Sequence, residues 1–175
     1  DHIDDAAADW IRRQHMFFVA TAPTEGGRIN LSPKGLDTLR VLSPTEVAYL
    51  DLTGSGAETI AHLRNNGRIT MMFCAFEGPP RILRLYGRGT FVRPGEDLFD
   101  ELAPLFPDRR AIRSIVTIRV DRVQDSCGYA VPIMNFVEDR TRLDRWAENR
   151  TDEDIADHWR EKNAISIDGL PAIDT

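Results

Sequence analysis

Cysteine is scarce in this sequence, which has only Cys74 and Cys127 among its 175 residues. The two are not spaced as metal ligands are, so they do not suggest a metal site. So few cysteines indicate a reducing compartment. Runs of about 18 apolar residues, which a membrane span requires, are also absent, and no apolar targeting segment opens the chain. We therefore expect a cytoplasmic protein, although a leader removed before Asp1 would leave no trace in the sequence.

Basic runs are lacking as well. The net charge at pH 7 is −6, and the chain has no cluster of Lys and Arg of the kind that replaces counterions on nucleic acid or on anionic lipid. Neither nucleic acid nor a membrane is therefore expected as a partner. Hydrophobic residues make up 42% of the chain and charged residues 29%, which is typical of a globular protein. This length is sufficient for one domain with a core and too short for two.

Hydrolase and metalloprotease motifs are missing too. Gly54-Ser55-Gly56 lacks the spacer residues that a nucleophile elbow has beside its serine, and no two histidines are four residues apart. The longer run GSGAET, residues 54–59, is one residue short of the dinucleotide-binding fingerprint. Its surroundings predict hairpins rather than a strand-helix-strand unit, which argues against a Rossmann site. These patterns assign no catalytic residue and no metal ligand.

Residues 47–76 predict a strand, a glycine-containing loop, a short helix, a turn and a second strand. Ser55 and Glu58 have the spacing of a capping box, which would start the helix at Ser55. A loop that leaves a strand and opens a helix exposes backbone amides and the positive end of the helix dipole, so it suits a phosphate. If the capping box forms, those amides are already satisfied and the glycines serve only the turn.

Apolar and alternating segments predict six strands joined by tight turns. They cover residues 16–21, 28–32, 47–52, 68–73, 81–92 and 115–123. Residues 36–42 fit either a short irregular strand or a loop. Gly87 and Gly89 interrupt the fifth strand, as at a β-bulge or a barrel corner. The expected fold class is mainly β with flanking helices, in which six antiparallel strands close into a small barrel because closure removes exposed edges.

Helical patterns flank these strands. Helices are expected over residues 4–15, 96–105, 140–148 and 151–163. Thr151 and Asp154 would cap the last of them. We assign residues 1–126 to the barrel domain and residues 127–175 to a C-terminal helical arm, within the same domain or at a dimer interface. Residues 164–175 would dock on a partner subunit or cover a site, because their apolar side chains are unfavourable in water.

Lys34 is the candidate cation of the chain. It lies between Pro33, which stiffens the strand end, and Gly35, which lets the backbone approach a ligand closely. In isolation, such a lysine would be a solvated loop charge. If the barrel brings it next to residues 53–56, one ammonium group and one set of backbone amides converge to form a phosphate pocket.

Five segments, taken in order, make the sequence resemble a known family: MFFVAT, NLSPKG, VAYLDLTGSG, NNGRITMMF and RILRLYGRG. Over residues 16–125 the chain is similar to the pyridoxamine 5'-phosphate oxidase-like family of FMN-binding split β-barrels. The resemblance implies a homodimer with two FMN molecules at the subunit interface, each with its phosphate near the second and third strands and the helix start. The positions that match flavin contacts of the family are Asn30, Ser32, Pro33, Lys34, Gly35, Tyr49, Asp51, Thr53, Ser55, Gly56 and Thr59.

The sequence departs from the oxidases themselves in two places. Residues 57–59, AET, stand where the phosphate loop of the oxidases has serine, arginine and lysine, and a carboxylate repels phosphate. Glu58 would then turn back to cap the helix, or the phosphate would rely on Lys34 and Arg68, or flavin would be weakly held or absent. The substrate-binding arginine and histidine of the oxidases have no match in residues 129–175, so pyridoxamine phosphate oxidation is not expected.

The resemblance implies an FMN-dependent oxidoreductase with a small-molecule substrate that the sequence does not identify. Tyr86, Arg84 and Tyr129 are candidates for groups near the flavin ring, and none of them is assigned as an acid or a base. Two other interpretations stay open. One is a deazaflavin (F420)-dependent reductase, which uses a similar barrel, and the other is a non-catalytic barrel dimer that holds flavin or nothing.

Overall fold

Seven antiparallel strands form one sheet in the computed structural model, which describes residues 2–174. The strands are β1 Phe17–Thr21, β2 Asn30–Lys34, β3 Leu39–Ser43, β4 Glu46–Leu52, β5 Arg68–Cys74, β6 Ile82–Val92 and β7 Ile112–Ser126. Their order in the sheet is β2-β1-β5-β6-β7-β4-β3, so that β2 and β3 are the two edges. The longest pairing joins β6 to β7, and it forms the centre of the sheet.

The sheet differs from the predicted six-stranded closed barrel in two respects. The sequence left strand and loop open for residues 36–42, and residues 39–43 form β3 because their backbone pairs with β4. The two edge strands are not hydrogen-bonded to each other within residues 2–174, so the sheet is not closed. The mainly β class with flanking helices is confirmed.

The sheet nevertheless curls around the main hydrophobic cluster. Phe17 on β1 and Tyr49 on β4 are four places apart in the strand order, yet their ring centroids are 5.7 Å apart. Buried side chains from five strands fill this space: Phe17, Val19, Val47, Tyr49, Ile69, Met71, Phe73, Leu83, Leu85, Val116, Ile118 and Val120. The register shifts at Gly87, as expected for a bulge, and a side chain there would collide with the backbone carbonyl of Arg119.

Helix α1, Asp5–Arg12, covers one end of this core, as the sequence predicted. Its start is capped by Asp4, whose Oδ1 accepts a hydrogen bond from the amide of Ala7 at 2.7 Å. Ala7 and Ile11 are buried in the same cluster as the strand residues. The helix is shorter than the predicted residues 4–15, and the chain then continues towards β1.

Helix α2, Glu58–Asn66, begins later than predicted. Its N-cap is Ala57 and no side chain caps it, so the capping box of Ser55 and Glu58 is wrong. The Glu58 carboxylate instead accepts a hydrogen bond from the backbone amide of Ile167, near the end of the chain, at 3.2 Å. The helix ends at Gly67, whose φ of 72° is readily adopted by glycine.

The remaining helices are α3 Asp97–Leu102, α4 Arg142–Glu148 and α5 Asp152–Lys162, with a 3₁₀ turn at Ala103–Leu105. The capping box of Thr151 and Asp154 is confirmed, with both hydrogen bonds present. No helix within residues 2–174 combines the length and the apolar character needed to cross a membrane.

The end of the chain packs on α2 of the same chain. Ala172 and Ile173 are buried against Ala57, Ile60 and Ala61. The predicted terminal segment, residues 164–175, therefore covers a helix, and its last residue, Thr175, lies outside the described residues.

Candidate functional site

A cavity of about 1060 Å³ lies between one end of the sheet and the C-terminal arm. Its floor consists of the end of β2 and the β4–α2 loop, residues 53–57. The floor residues are Pro33, Lys34, Gly35, Thr53, Gly54 and Ser55. The fold thus brings Lys34 and the glycine-containing loop to one cavity, as the sequence predicted.

Aromatic and apolar side chains form most of the cavity walls. They come from α1, the start of β1, the loop after β5 and the C-terminal arm: Trp10, His15, Met16, Phe76, Pro79, Met134, Phe136, Leu143 and Trp146. The rings of His15 and Phe136 are stacked, with centroids 3.8 Å apart and planes 6° from parallel. A cavity with flat aromatic walls suits a planar organic ligand.

The C-terminal arm closes over the cavity and is fixed by hydrogen bonds at two places. The amide of Met134 donates to the Phe76 carbonyl at 2.9 Å, and the amide of Phe136 donates to Glu77 Oε1 at 3.0 Å. Further along, Arg109 donates to Asp144 Oδ1 at 2.6 Å. The sequence did not predict this part of the site, because residues 127–141 have no periodicity and contact the barrel only through the tertiary fold.

Helix α5 fixes the β4–α2 loop from the other side. Trp159 Nε1 donates to Thr53 Oγ1 at 2.9 Å, and the amide of the Asn163 side chain donates to the Gly54 carbonyl at 3.1 Å. His158 Nε2 lies 3.1 Å from the same carbonyl. These contacts hold the loop in its observed conformation.

Lys34 does not stand free at the floor of the cavity, because it is bonded to a buried carboxylate. Its Nζ lies 3.2 Å from Asp51 Oδ1, and Arg113 Nε lies 2.7 Å from Asp51 Oδ2. Arg113 also donates to the Gly56 carbonyl at 2.7 Å. Two cations thus share one carboxylate, which leaves a positive charge under the floor.

Burial by itself would raise the pKa of Asp51, but Arg113 and then Lys34 outweigh it and lower the pKa below its ordinary value. Asp51 is therefore a carboxylate in the folded protein. Sequence reasoning missed Arg113. The available signal was an arginine in the otherwise mainly apolar segment 111–118, where a buried charge requires a partner.

Tyr49 and Asp51 were predicted to contact flavin, yet both are fully buried behind the floor. Burial, with a smaller contribution from Asp51, raises the pKa of Tyr49 well above its ordinary value although Arg113 opposes this. Its hydroxyl has no hydrogen-bond partner within residues 2–174. In this structure Tyr49 belongs to the core rather than to the cavity lining.

Asn30, Ser32 and Thr59 form a separate polar cluster between β2 and α2. The Asn30 side-chain amide donates to Thr59 Oγ1 at 3.0 Å, and Ser32 Oγ donates to Asn30 Oδ1 at 3.0 Å. Thr21 extends the cluster, since its Oγ1 lies 2.9 Å from Nδ1 of the buried His62. The predicted contact positions thus divide between the cavity, the core and this cluster.

Gly56, the remaining predicted position, lies directly under Glu58. A side chain at Gly56 would meet the Glu58 carboxylate, which would have to shift to make room for it. The start of α2 therefore carries a carboxylate. No group of three or more His, Cys, Asp or Glu side chains within residues 2–174 is placed to hold a metal ion.

Comparison with known proteins identifies the family. Residues 3–127 match the family model described as pyridoxamine 5'-phosphate oxidase. The chain is also 37% identical over 190 residues to the pyridoxamine 5'-phosphate oxidase family protein ustO of Aspergillus flavus, over 99% of this chain and 76% of that protein. The chain belongs to the pyridoxamine 5'-phosphate oxidase family. The resemblance that the five sequence segments indicated is confirmed.

Solved structures share the fold of this pyridoxamine 5'-phosphate oxidase family member. HupZ of Group A Streptococcus has a TM-score of 0.56 at 19% identity, over 76% of this chain and 99% of that one. The FAD binding protein from Mycobacterium smegmatis has a TM-score of 0.50 at 12% identity, over 71% of this chain and 95% of that one. Identities this low support the fold and not a shared ligand.

Proposed function

We propose that the protein is a flavin-dependent oxidoreductase that binds its flavin in the cavity between the sheet and the C-terminal arm. The observation that carries the proposal is the cavity itself, where Pro33, Lys34, Gly35, Thr53 and Ser55 line a floor under aromatic walls. Membership in the pyridoxamine 5'-phosphate oxidase family supports it.

The cavity residues fit the flat ring of a flavin. Trp10, Phe136 and Trp146 offer aromatic faces, and hydrogen bonds fix the arm that carries two of them. Lys34 carries three N–H donors, one of which bonds Asp51, so others can point to a ligand. A bound flavin would supply the redox chemistry, while this chain orients it and excludes water.

The start of α2 does not fit the phosphate of FMN in the way that the resemblance implies. Glu58 lies there, and Lys34 is bonded to Asp51 instead. We therefore derive no role for a phosphate at this helix. FMN remains the flavin that the resemblance favours, with the cavity as its binding site.

Removing a cavity wall tests the proposal. We expect Trp146→Ala to weaken flavin binding roughly tenfold, because it removes a large aromatic face. The measurement is the quenching of flavin fluorescence on titration, with circular dichroism to check folding. Tyr129→Ala is the matched control, because that aromatic residue of the same arm is 83% exposed and does not line the cavity. Absence of flavin binding by the wild-type protein at high micromolar concentration would refute the proposal.

The size of the cavity also leaves room for a second candidate, the deazaflavin-dependent reductase. Ligand pockets commonly measure about 300–1,000 Å³, so a cavity of about 1060 Å³ has room for a long-tailed deazaflavin or for a flavin together with a substrate. Competition between FMN and F420 for the wild-type protein separates these two possibilities. If neither binds, the interpretation as a non-catalytic barrel is favoured.

We also propose a homodimer in the cytoplasm. The support for the dimer is the series of exposed apolar residues in the C-terminal arm, Tyr129, Ile133, Met134, Phe136 and Val137. The support for the compartment is the low cysteine content.

A further inference from the structure

We infer that this protein recognises a flavin by its ring and not by its phosphate, because the chain's own Glu58 and C-terminal end occupy the start of α2. The inference rests on the proposed function, and it predicts that riboflavin binds as well as FMN.

The first step concerns the charge at the start of α2. The Glu58 carboxylate lies against Gly56, at the first turn of the helix, and makes no ion pair within residues 2–174. A carboxylate there already interacts with the positive end of the helix dipole. A phosphate at the same position would meet like charge at close range.

The second step concerns the arginines around α2. Arg28 forms an ion pair with Asp168, and its backbone amide donates to Asp168 Oδ2 at 2.6 Å. Arg64 of α2 forms an ion pair with Asp174, and Arg93 donates to the Asp174 carbonyl at 2.6 Å. Residues 168–174 of the same chain thus bind all three guanidinium groups. Their two aspartates supply the negative charges around α2.

The third step concerns access. The amide of Ile167 donates to Glu58 Oε1 at 3.2 Å, so the end of the chain lies directly on the carboxylate. Ala172 and Ile173 anchor this segment by burial against α2. A phosphate could reach the helix start only if these apolar and ionic contacts were broken.

The lining of the cavity carries side chains of both charge signs, so its net charge is small: the four basic ones are Arg13, Lys34, Arg140 and Arg142, and the three acidic ones are Glu77, Glu138 and Asp139. Lys34, at the floor, gives one of its three N–H donors to Asp51. We expect most of the affinity in this cavity to come from contact with the aromatic ring, which riboflavin and FMN share.

The test compares riboflavin and FMN by fluorescence titration of the wild-type protein. We expect dissociation constants within about threefold of each other, because losing even one charge-assisted hydrogen bond to a phosphate would cost about tenfold or more. A greater preference for FMN overturns the inference and leaves the proposed function standing. If neither flavin binds, the proposed function fails, and the inference fails with it.

A Glu58→Gln variant gives an independent check. If the phosphate lies away from α2, this change alters the two affinities equally, so their ratio stays as in the wild type. If the phosphate does bind at α2, removal of the carboxylate strengthens FMN binding relative to riboflavin, which overturns the inference. Glu101→Gln, an exposed residue of α3, is the matched control.

Discussion

At the scale of single residues, the interior of the sheet depends on a carboxylate shared by two cations. Asp51 lies on β4, Lys34 on β2 and Arg113 on β7, so one side chain joins three strands that are distant in the chain. Arg113 and Asp51 are almost completely buried, and a charge in such a place is tolerated only when it is paired. Lys34 and Asp51 lie on strands that are five places apart in the sheet, so their ion pair also constrains how the sheet curls.

We expect Asp51→Asn to lower the free energy of unfolding by about 3 kcal/mol, because it leaves Arg113 buried without a counter-charge. Urea denaturation followed by circular dichroism measures this. Glu46→Gln, an exposed position on the same strand, should change stability by less than about 0.5 kcal/mol. Equal stability of the Asp51 variant and the wild type would show that the ion pair is not formed in solution.

The same carboxylate predicts a dependence on pH. Burial would raise the pKa of Asp51, but Arg113 and Lys34 lower it below the ordinary value of 3.8. The ionised form of a carboxyl group stabilises the fold when its pKa is lower in the folded than in the unfolded state. This stabilisation is complete above about pH 4, and it is lost as the pH falls through the pKa of the folded state. The stability difference between the wild type and Asp51→Asn should therefore shrink on acidification below about pH 4. A constant difference down to pH 2 would contradict this assignment.

At the scale of elements, α5 determines the conformation of the β4–α2 loop. Its capping box starts the helix at a defined residue, which places Trp159 and Asn163 against Thr53 and Gly54. The sequence predicted the helix and its cap. It did not predict the contact, because no local pattern records a partner 106 residues away.

We expect Trp159→Phe to remove the hydrogen bond to Thr53 and to destabilise the protein by about 1 kcal/mol. The loop should also open more often, so amide hydrogen exchange in residues 53–57 should become faster while exchange in β6 and β7 stays slow. Arg160→Gln changes an exposed residue of the same helix and serves as the control. Unchanged exchange in the loop would mean that α5 does not hold it.

At the scale of the whole molecule, the exposed apolar residues of the C-terminal arm indicate an association surface. Ile133 and Val137 are 81% and 87% exposed, and other apolar residues lie beside them in the chain. Exposed apolar residues that are clustered rather than scattered are typical of protein contacts.

We expect the wild type to be a dimer in size-exclusion chromatography coupled to light scattering. We expect Ile133→Lys to shift it towards monomer, because the lysine ammonium group would be buried in the contact without a counter-charge. Leu98→Lys places the same charge on a half-exposed apolar residue outside the arm and should leave the dimer intact. A monomeric wild-type protein at micromolar concentration would argue against the homodimer.

Local sequence patterns determined much of this protein. Apolar runs and alternation predicted β4 to β7 to within a few residues, glycine at position 87 predicted the bulge, and five short segments indicated the family. Such features depend on hydrogen bonds and side-chain alternation between neighbours in the chain, and a sequence records these directly.

Only the tertiary structure decided that a seventh strand forms, that Arg113 pairs with Asp51 and that the Glu58 carboxylate bonds the end of the chain. Pairing with β4 makes residues 39–43 a strand, and the pairing of β7 with β4, with a register shift beside Asp51, brings Arg113 to Asp51. The return of the chain end to α2 gives Glu58 a partner other than the predicted cap. Each of these depends on which distant segments meet, and their contacts arise from the packing of the whole chain rather than from the spacing of its residues.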